Sequence, residues 1–333
     1  MPAVIIANLA SRYRSAWFAN LAIAGGAVLL VGLSGLYHLL LALFGQEPAL
    51  PPAILAAAAA LATPVFFARV RHWLARVLPL DPESPVTLLA LVAVILIVGV
   101  QLNYQASHDA LAAVNLTAQL QPIDVVLQEI PILLLALLGV GLLTRRSLPA
   151  ALERLGIVRP ALWQVFAALA VAGLFVALAQ GADYLQMRLD PALSTRLHQA
   201  TSHYYAGITG LFGIAAIALA PGIAEESFFR GALQPRLGVL VAALAFAAIH
   251  SQYALTIDTL LVFTLGCALG LVRRQLNTTT AIVTHATYNA LAGLGIPDPL
   301  LPWAIAAEAV VVAAAIVLWF LRRPDPAPTP KSP

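Results

Sequence analysis

The sequence predicts an all-α fold, a polytopic bundle of about ten transmembrane helices with both termini in the cytoplasm. Three observations lead to this prediction. First, 61% of the 333 residues are hydrophobic, 10% are charged, and the mean hydropathy is +0.90. Second, apolar runs of membrane-spanning length recur along the chain. Third, the basic residues gather in short clusters between those runs.

The composition disfavours several classes of protein. A typical soluble domain is about 45–50% apolar and about 25% charged, and a soluble globule of this length could not keep so much apolar surface away from water. A soluble enzyme and a disordered chain are therefore disfavoured. The net charge of +3 comes from basic clusters between apolar runs, which is typical of membrane topology. We expect a lipid bilayer as partner and no nucleic acid.

The apolar runs set the number of predicted spans. A spanning helix needs about 20 mostly apolar residues. The first run is too long for a signal peptide and lacks a small-residue cleavage site, so it is expected to remain as a helix. Ten candidate runs lie near residues 21–44, 51–68, 86–102, 123–143, 161–180, 205–224, 237–254, 256–272, 279–295 and 302–321.

The basic residues set the predicted orientation. If the chain starts inside and crosses ten times, 16 of its 18 Lys and Arg residues fall on one side, and only Arg188 and Arg196 fall on the other. Cytoplasmic loops carry an excess of Lys and Arg. The sequence therefore predicts a multi-pass protein of the cell membrane with both termini cytoplasmic.

Polar residues interrupt the apolar runs in the second half of the chain. An ionisable residue inside a membrane span is costly and indicates a functional site by default. Residues four apart share a helix face, and Pro221-Gly222 loosens the helix just before the first cluster. The three clusters are Glu225-Glu226 with Arg230, Phe246 with His250, and His285 with Asn289.

A depth count allows the clusters to meet. At about 1.5 Å rise per residue, Glu225 lies roughly 13 Å, His250 roughly 21 Å and His285 roughly 12 Å from the inner boundary. Helix tilts of about 20° and side-chain reach can close that spread. We expect one polar cavity that opens towards the cytoplasmic half of the membrane. Glu129, Asp258 and Glu308 are expected near outer helix ends, solvated or satisfied by packing.

The chemistry that uses such a set is the activation of water. A buried carboxylate is a suitable general base, and imidazole can orient the proton or bind a metal. An amide and a second imidazole can donate to an oxyanion. Glu225, His250 and His285 would also supply the three ligands of a catalytic zinc, although the sequence contains no HExxH motif.

The three clusters, in this order on successive helices, resemble the CPBP family, the CAAX proteases and bacteriocin-processing proteins, also called type II CAAX prenyl endopeptidase-like or ABI proteins. The family pattern is EExxxR, then FxxxH, then HxxxN or HxxxD, and this chain matches every motif position. The resemblance covers about residues 155–300, starting at Leu155-Gly156-Ile157.

The resemblance implies an intramembrane endopeptidase that cleaves membrane-anchored peptides or proteins, CAAX-like and bacteriocin-related substrates among them. It implies that Glu225 activates the attacking water with help from His250, and that His285 and Asn289 stabilise the oxyanion. Glu226, Arg230 and Phe246 would support the site. Family members are described both as metalloproteases and as metal-independent glutamic proteases. We expect no cofactor, or zinc, and the missing HExxH favours the metal-independent form.

The resemblance also implies a division of the chain. Residues 1–154 are expected to form about four accessory transmembrane helices, and residues 155–300 the catalytic membrane core. Residues 301–323 would be the last transmembrane helix, and the Pro-rich tail at 324–333 is expected to be disordered.

Two other functions fit the same residues. A multipass transporter also places Glu, His and Arg inside helices as an ion path. A non-catalytic membrane immunity or assembly factor could keep the fold without cleaving anything. The clustering of the polar set on adjacent, closely connected helices favours the protease.

Overall fold

The computed structural model describes residues 1–322, and these form helices joined by short turns and loops, with no β-strand among them. The predicted all-α fold is confirmed for this part of the chain. The tail predicted at 324–333 lies outside the described residues, as does Arg323.

The α-helices of the described chain are numbered in order. They are α1 (Pro2–Leu9), α2 (Arg14–Leu43), α3 (Leu50–Ala62), α4 (Ala68–Leu74), α5 (Pro85–Ser107), α6 (Ala110–Leu116), α7 (Pro122–Gly139), α8 (Leu148–Leu155), α9 (Leu162–Leu189), α10 (Pro191–Tyr204), α11 (Gly210–Glu225), α12 (Gln234–Ile249), α13 (Ile257–Gln275), α14 (Thr278–Leu294) and α15 (Leu301–Leu321). A π-helical segment, Glu226–Leu233, connects α11 directly to α12.

Fewer helices qualify as candidate membrane spans than the ten that the sequence predicts. Within residues 1–322, six helices are long and apolar enough to cross a membrane, or seven if the pair Leu50–Phe66 and Ala68–Leu74, bent by 96°, forms one span. The eighth and ninth predicted runs form α13 and α14. Helix α13 carries charged residues at both ends, and α14 has only 17 residues. The predicted count of ten and the orientation of the termini are not confirmed.

The sixth and seventh predicted runs lie on one continuous stretch, Gly210–Ile249, of 40 residues. A straight helix of that length would measure about 60 Å, twice the hydrocarbon thickness of about 30 Å. Gly238 divides it, since its backbone has φ 86° and ψ 170°, which is not helical. A positive φ of this size favours glycine. The chain therefore changes direction close to the inner turn predicted at Gln234–Arg236.

The N-terminal helices share a hydrophobic core with the helices that carry the polar clusters. Leu88 and Val92 of α5 lie in the same buried cluster as Phe229, Leu237 and Phe246. Helix α11 packs between α7 on one side and α14 on the other, and α9 packs against α14 and α15. Contacts therefore cross the boundary predicted at residues 154 and 155, and the division into accessory and core helices stays a prediction.

The start of α14 is fixed by the end of α8. Gly156 adopts a left-handed backbone with φ 75°, and its carbonyl accepts a hydrogen bond of 3.0 Å from the Thr278 amide. The Thr278 hydroxyl donates to the Leu155 carbonyl at 2.5 Å. Asn277 caps α14 by accepting from the Thr280 amide at 2.8 Å. These bonds set the position of the helix that carries His285.

The close approach of α3 to α5 yields a stability prediction. A Cβ added at Gly99 would lie 2.3 Å from the Cβ of Ala58, whereas one added at Gly26 would meet nothing within 4 Å. Gly99→Ala must therefore push the helices apart, at a cost of about 1–3 kcal/mol. Gly26→Ala should be neutral or stabilising, because alanine favours helix by up to about 1 kcal/mol. We expect a lower melting temperature for Gly99→Ala alone in detergent, and equal values for both variants would contradict this packing.

Candidate active site

The site begins at a break in the hydrogen bonding of α11. Pro221 has no backbone N–H, so the carbonyl of Ile217, four residues earlier, loses its helical partner. Asn289 of α14 supplies a replacement, since its Nδ2 donates to the Ile217 carbonyl at 3.0 Å. The next residue, Gly222, allows α14 to come close, because a Cβ there would lie 3.1 Å from the Cβ of Ala286. One amide side chain thus joins the two helices.

Glu226 is the fully buried acid of the site, with 0% of its surface exposed. Its Oε2 lies 3.2 Å from Nε of Arg230, which is one turn further along the π-helical segment. Its Oε1 lies 2.9 Å from Nδ1 of His285. A carboxylate only accepts hydrogen bonds, so Nδ1 of His285 carries a proton and donates it to this bond. The predicted ion pair of Glu226 and Arg230 is therefore present and extends to a histidine.

Arg230 is also buried, with 1% of its surface exposed. Besides its ion pair, it donates through Nη2 to the Gly266 carbonyl of α13 at 3.2 Å. Its guanidinium lies over the ring of Phe246, 4.3 Å from the ring centroid, in the geometry of a cation–π contact. The phenylalanine of the second motif therefore acts as an apolar platform for the arginine of the first.

Glu225 is buried as well, yet it is poorly satisfied. Its Oε2 lies 3.9 Å from Nε2 of His285, and this oxygen accepts no hydrogen bond from any residue between 1 and 322. Because Nδ1 of His285 is bonded to Glu226, Nε2 is the nitrogen that faces Glu225. A buried polar atom left without a partner in a native structure calls for an explanation, such as a bound water.

His250 follows the last residue of α12. Its Nδ1 donates to the Phe246 carbonyl at 2.8 Å, which leaves Nε2 of the neutral ring as an acceptor. The ring contacts Phe246 at 4.6 Å and stacks on Tyr253 at 6.4 Å between centroids. Phe246 in turn touches His285, with 6.0 Å between ring centroids. His250 is therefore linked to the glutamate cluster through an aromatic ring.

The structure thus brings the predicted residues together to different degrees. Glu225, Glu226, Arg230 and His285 interact with one another directly. Phe246 contacts both Arg230 and His285. The contact recorded for the Asn289 amide is with the Ile217 carbonyl, a role that the sequence did not predict.

A further carboxylate, that of Glu129, lies near the site in surroundings that the sequence does not predict. The sequence predicts Glu129 near an outer helix end, solvated or satisfied by packing. Its Oε2 is instead buried, accepts no hydrogen bond in the described part of the chain, and lies within electrostatic range of Glu225. Its position as an ionisable residue inside the fourth apolar run was the signal that could have identified it.

The predicted zinc ligands are not assembled into a metal site. A catalytic zinc needs three protein ligands and one open position. Among residues 1–322, no three His, Cys, Asp or Glu side chains form a group that could hold a metal ion. Glu225 and His285 face each other, but Nδ1 of His285 is bonded to Glu226. The side chains as placed do not fit the ion.

Comparison with known proteins identifies the segment that contains this site. Residues 206–291 match the family model described as type II CAAX prenyl endopeptidase Rce1-like. All seven predicted site residues lie in that segment, whereas α7 with Glu129 lies outside it. No characterised protein and no solved structure matches the chain. The match confirms the family resemblance predicted from the three motifs and indicates a protease.

The replacement bond between Asn289 and Ile217 can be tested with a double-mutant cycle. Asn289→Ala leaves a buried carbonyl unpaired and should cost about 1–3 kcal/mol of stability. Pro221→Ala restores a backbone N–H that can bond the Ile217 carbonyl within the helix. We therefore expect Asn289→Ala to lower the melting temperature less in the Pro221→Ala background than in the wild type. Equal decreases in both backgrounds would show that the two residues are not coupled.

Proposed function

We propose that the protein is an intramembrane endopeptidase in which Glu225 activates water to hydrolyse peptide bonds of membrane-associated substrates. The family match to residues 206–291 supports a protease. The observation that carries the proposal is that two adjacent buried glutamates have different partners. Oε1 of Glu226 accepts from His285 at 2.9 Å and its Oε2 is ion-paired with Arg230 at 3.2 Å. Oε2 of Glu225 accepts no hydrogen bond within residues 1–322 and lies 3.9 Å from Nε2 of His285, which leaves room for a water between them.

The attacking water fits between Glu225 and His285. Oε2 of Glu225 and Nε2 of His285 are 3.9 Å apart, and two hydrogen bonds of about 2.8 Å each could be made from one water at the apex of that triangle. Glu225 would accept a proton from this water as its oxygen attacks the carbonyl carbon of the substrate. The low polarity of the surrounding helices strengthens the interaction of the charged base with the water.

The oxyanion that forms needs donors close by. Nδ2 of Asn289 has two N–H groups, and only one is used by the Ile217 carbonyl. The other is proposed to donate to the oxyanion. His285 would donate through Nε2 when that nitrogen carries a proton, because its Nδ1–H is already hydrogen-bonded to Glu226. His250 would assist Glu225 by accepting a hydrogen bond from the attacking water through Nε2.

When the C–N bond breaks, Glu225 would return its proton to the leaving amine, which gives a carboxylic acid and an amine.

The substrate class follows from the location of the site. The glutamates lie on helices apolar enough to span a bilayer, so a substrate must reach them from within or beside the membrane. We propose peptides or proteins anchored in the cell membrane, including CAAX-like and bacteriocin-related ones. We propose a mechanism without a metal-dependent step, and the absence of a three-ligand group among the described side chains is consistent with it.

The central test replaces Glu225 with glutamine. Glu225→Gln keeps the size of the side chain and removes the proton acceptor, so turnover should fall roughly 10²- to 10⁴-fold, the range assigned to general-base catalysis. Membrane peptide fragments are compared between cells that make the wild type and cells that make the variant. The sequence around the most abundant cleavage site is then placed in a quenched fluorescent peptide, whose cleavage is assayed in proteoliposomes.

Glu308→Gln is the matched control, because that carboxylate on α15 packs against Gly173 of α9, and neither helix carries a residue of the site. The control should cleave like the wild type. Cleavage by Glu225→Gln at the wild-type rate would refute the mechanism. An absence of wild-type fragments with intact ion flux would favour the transporter, and an absence of both would favour an immunity or assembly factor.

A strong zinc chelator should leave turnover unchanged. A loss of turnover that added zinc reverses would contradict the metal-independent mechanism.

A further inference from the structure

Two unsatisfied carboxylate oxygens lie on neighbouring helices. Oε2 of Glu225 on α11 and Oε2 of Glu129 on α7 are both buried, and neither accepts a hydrogen bond from the described residues. The helices that carry them, α7 and α11, pack against each other, close enough for the two charges to influence each other. Glu129 belongs to none of the three motifs, and it lies outside the segment that matches the family model.

The packing of α7 against α11 has a defined direction. Helix α7 packs along α11 and the π-helical segment. Gly207, shortly before α11, lies against Gln121, the residue before α7. At the other end, Nη2 of Arg236 donates a hydrogen bond of 3.1 Å to the carbonyl of Gly139, the last residue of α7. The two segments therefore run parallel.

This direction places the two acids at a similar level. Glu129 lies ten residues before Gly139, and Glu225 lies eleven residues before Arg236. His285 lies 3.9 Å from the unsatisfied oxygen of Glu225.

The burial of these two carboxyl groups costs free energy unless a bound molecule satisfies their oxygens. A buried acceptor without a partner costs about 1–3 kcal/mol, and two like charges in a poorly hydrated place repel each other strongly. Two neighbouring carboxyl groups relieve this cost when they hold one proton between them. A water molecule then finds an acceptor in the ionised group and a donor in the protonated group.

We propose that Glu129 is a second carboxyl group of the water site, which holds the attacking water together with Glu225. This inference rests on the proposed function of Glu225. Glu129 acts as a positioning residue: its protonated carboxyl donates a hydrogen bond to the oxygen of the water, whose proton passes to Glu225. Glu129 itself ends the reaction unchanged, so the reactants and products of the hydrolysis are the same as in the proposed function.

The pairing is tested first without any substrate. Melting temperatures are measured in detergent for the wild type, Glu129→Gln, Glu225→Gln and the double variant. The charge of Glu225 forces Glu129 to hold a proton at neutral pH, which costs stability, and Glu129→Gln removes that cost. Glu129→Gln should therefore raise the melting temperature, and it should raise it more in the wild type than in the Glu225→Gln background, where no neighbouring charge forces the protonation. An equal change in both backgrounds would overturn the pairing. A carboxylate with a merely structural role would instead lower the melting temperature when replaced.

The role in catalysis is tested with the quenched fluorescent peptide in proteoliposomes. We expect Glu129→Leu to lower kcat roughly 10- to 100-fold with little change in KM, because leucine cannot donate to the water, and the water and not the substrate is then misplaced. Glu129→Gln keeps an N–H donor at the same position and should recover most of kcat. Glu308→Leu, at a carboxylate on α15, should keep wild-type values of both constants.

The outcomes separate this inference from the proposed function. If Glu225→Gln is inactive while Glu129→Leu keeps the wild-type kcat, the water site uses Glu225 without Glu129, and the inference fails alone. If Glu225→Gln is fully active, the proposed mechanism fails first. A rise in KM with unchanged kcat for Glu129→Leu would assign Glu129 to substrate binding and would also overturn the inference.

Discussion

The structure depends on the burial of one ion pair, Glu226 with Arg230. Removing two charges from water costs several kcal/mol per ion unless partners surround them. Here His285 of α14 bonds the second oxygen of Glu226, the Gly266 carbonyl of α13 accepts from Arg230, and the Phe246 ring of α12 lies against its guanidinium. Each of these partners comes from a different helix. The need to satisfy two buried charges therefore fixes how four neighbouring elements meet.

The same burial gives the two adjacent glutamates different roles, one structural and one proposed to be reactive. Two consecutive glutamates point in different directions on the helix, so one can be fully engaged while the other faces a space between helices. Glu226 is held by Arg230 at 3.2 Å and by His285 at 2.9 Å, whereas Oε2 of Glu225 lies 3.9 Å from His285 and accepts no hydrogen bond in the described chain. Functional sites commonly retain such unfavourable groups, at a cost to stability. Glu129, unsatisfied in the same way, extends this pattern to a helix outside the family match.

The features that could be predicted from the sequence are the local ones. Glu226 and Arg230 are four residues apart on one helix, so their pairing follows from helix geometry. The bond from His285 to Glu226 joins residues 59 positions apart, and no local pattern specifies it. The same is true of Asn289, whose partner is a carbonyl freed by a proline. The predicted count of ten spans stays unconfirmed, because a hydropathy reading does not show where helices begin and end, as at the π-helical segment that joins the sixth and seventh runs.

The most direct test of this account is the replacement of Glu226 with glutamine, measured for stability and turnover in the same preparation. Glu226→Gln keeps the shape of the side chain but leaves Arg230 as a buried charge without its counterion. Breaking a buried pair in this way costs about 3–5 kcal/mol, and His285 loses the charged acceptor that orients it. The account predicts a clearly lower melting temperature together with reduced cleavage, although Glu225 is intact. A variant that melts and cleaves like the wild type would contradict it.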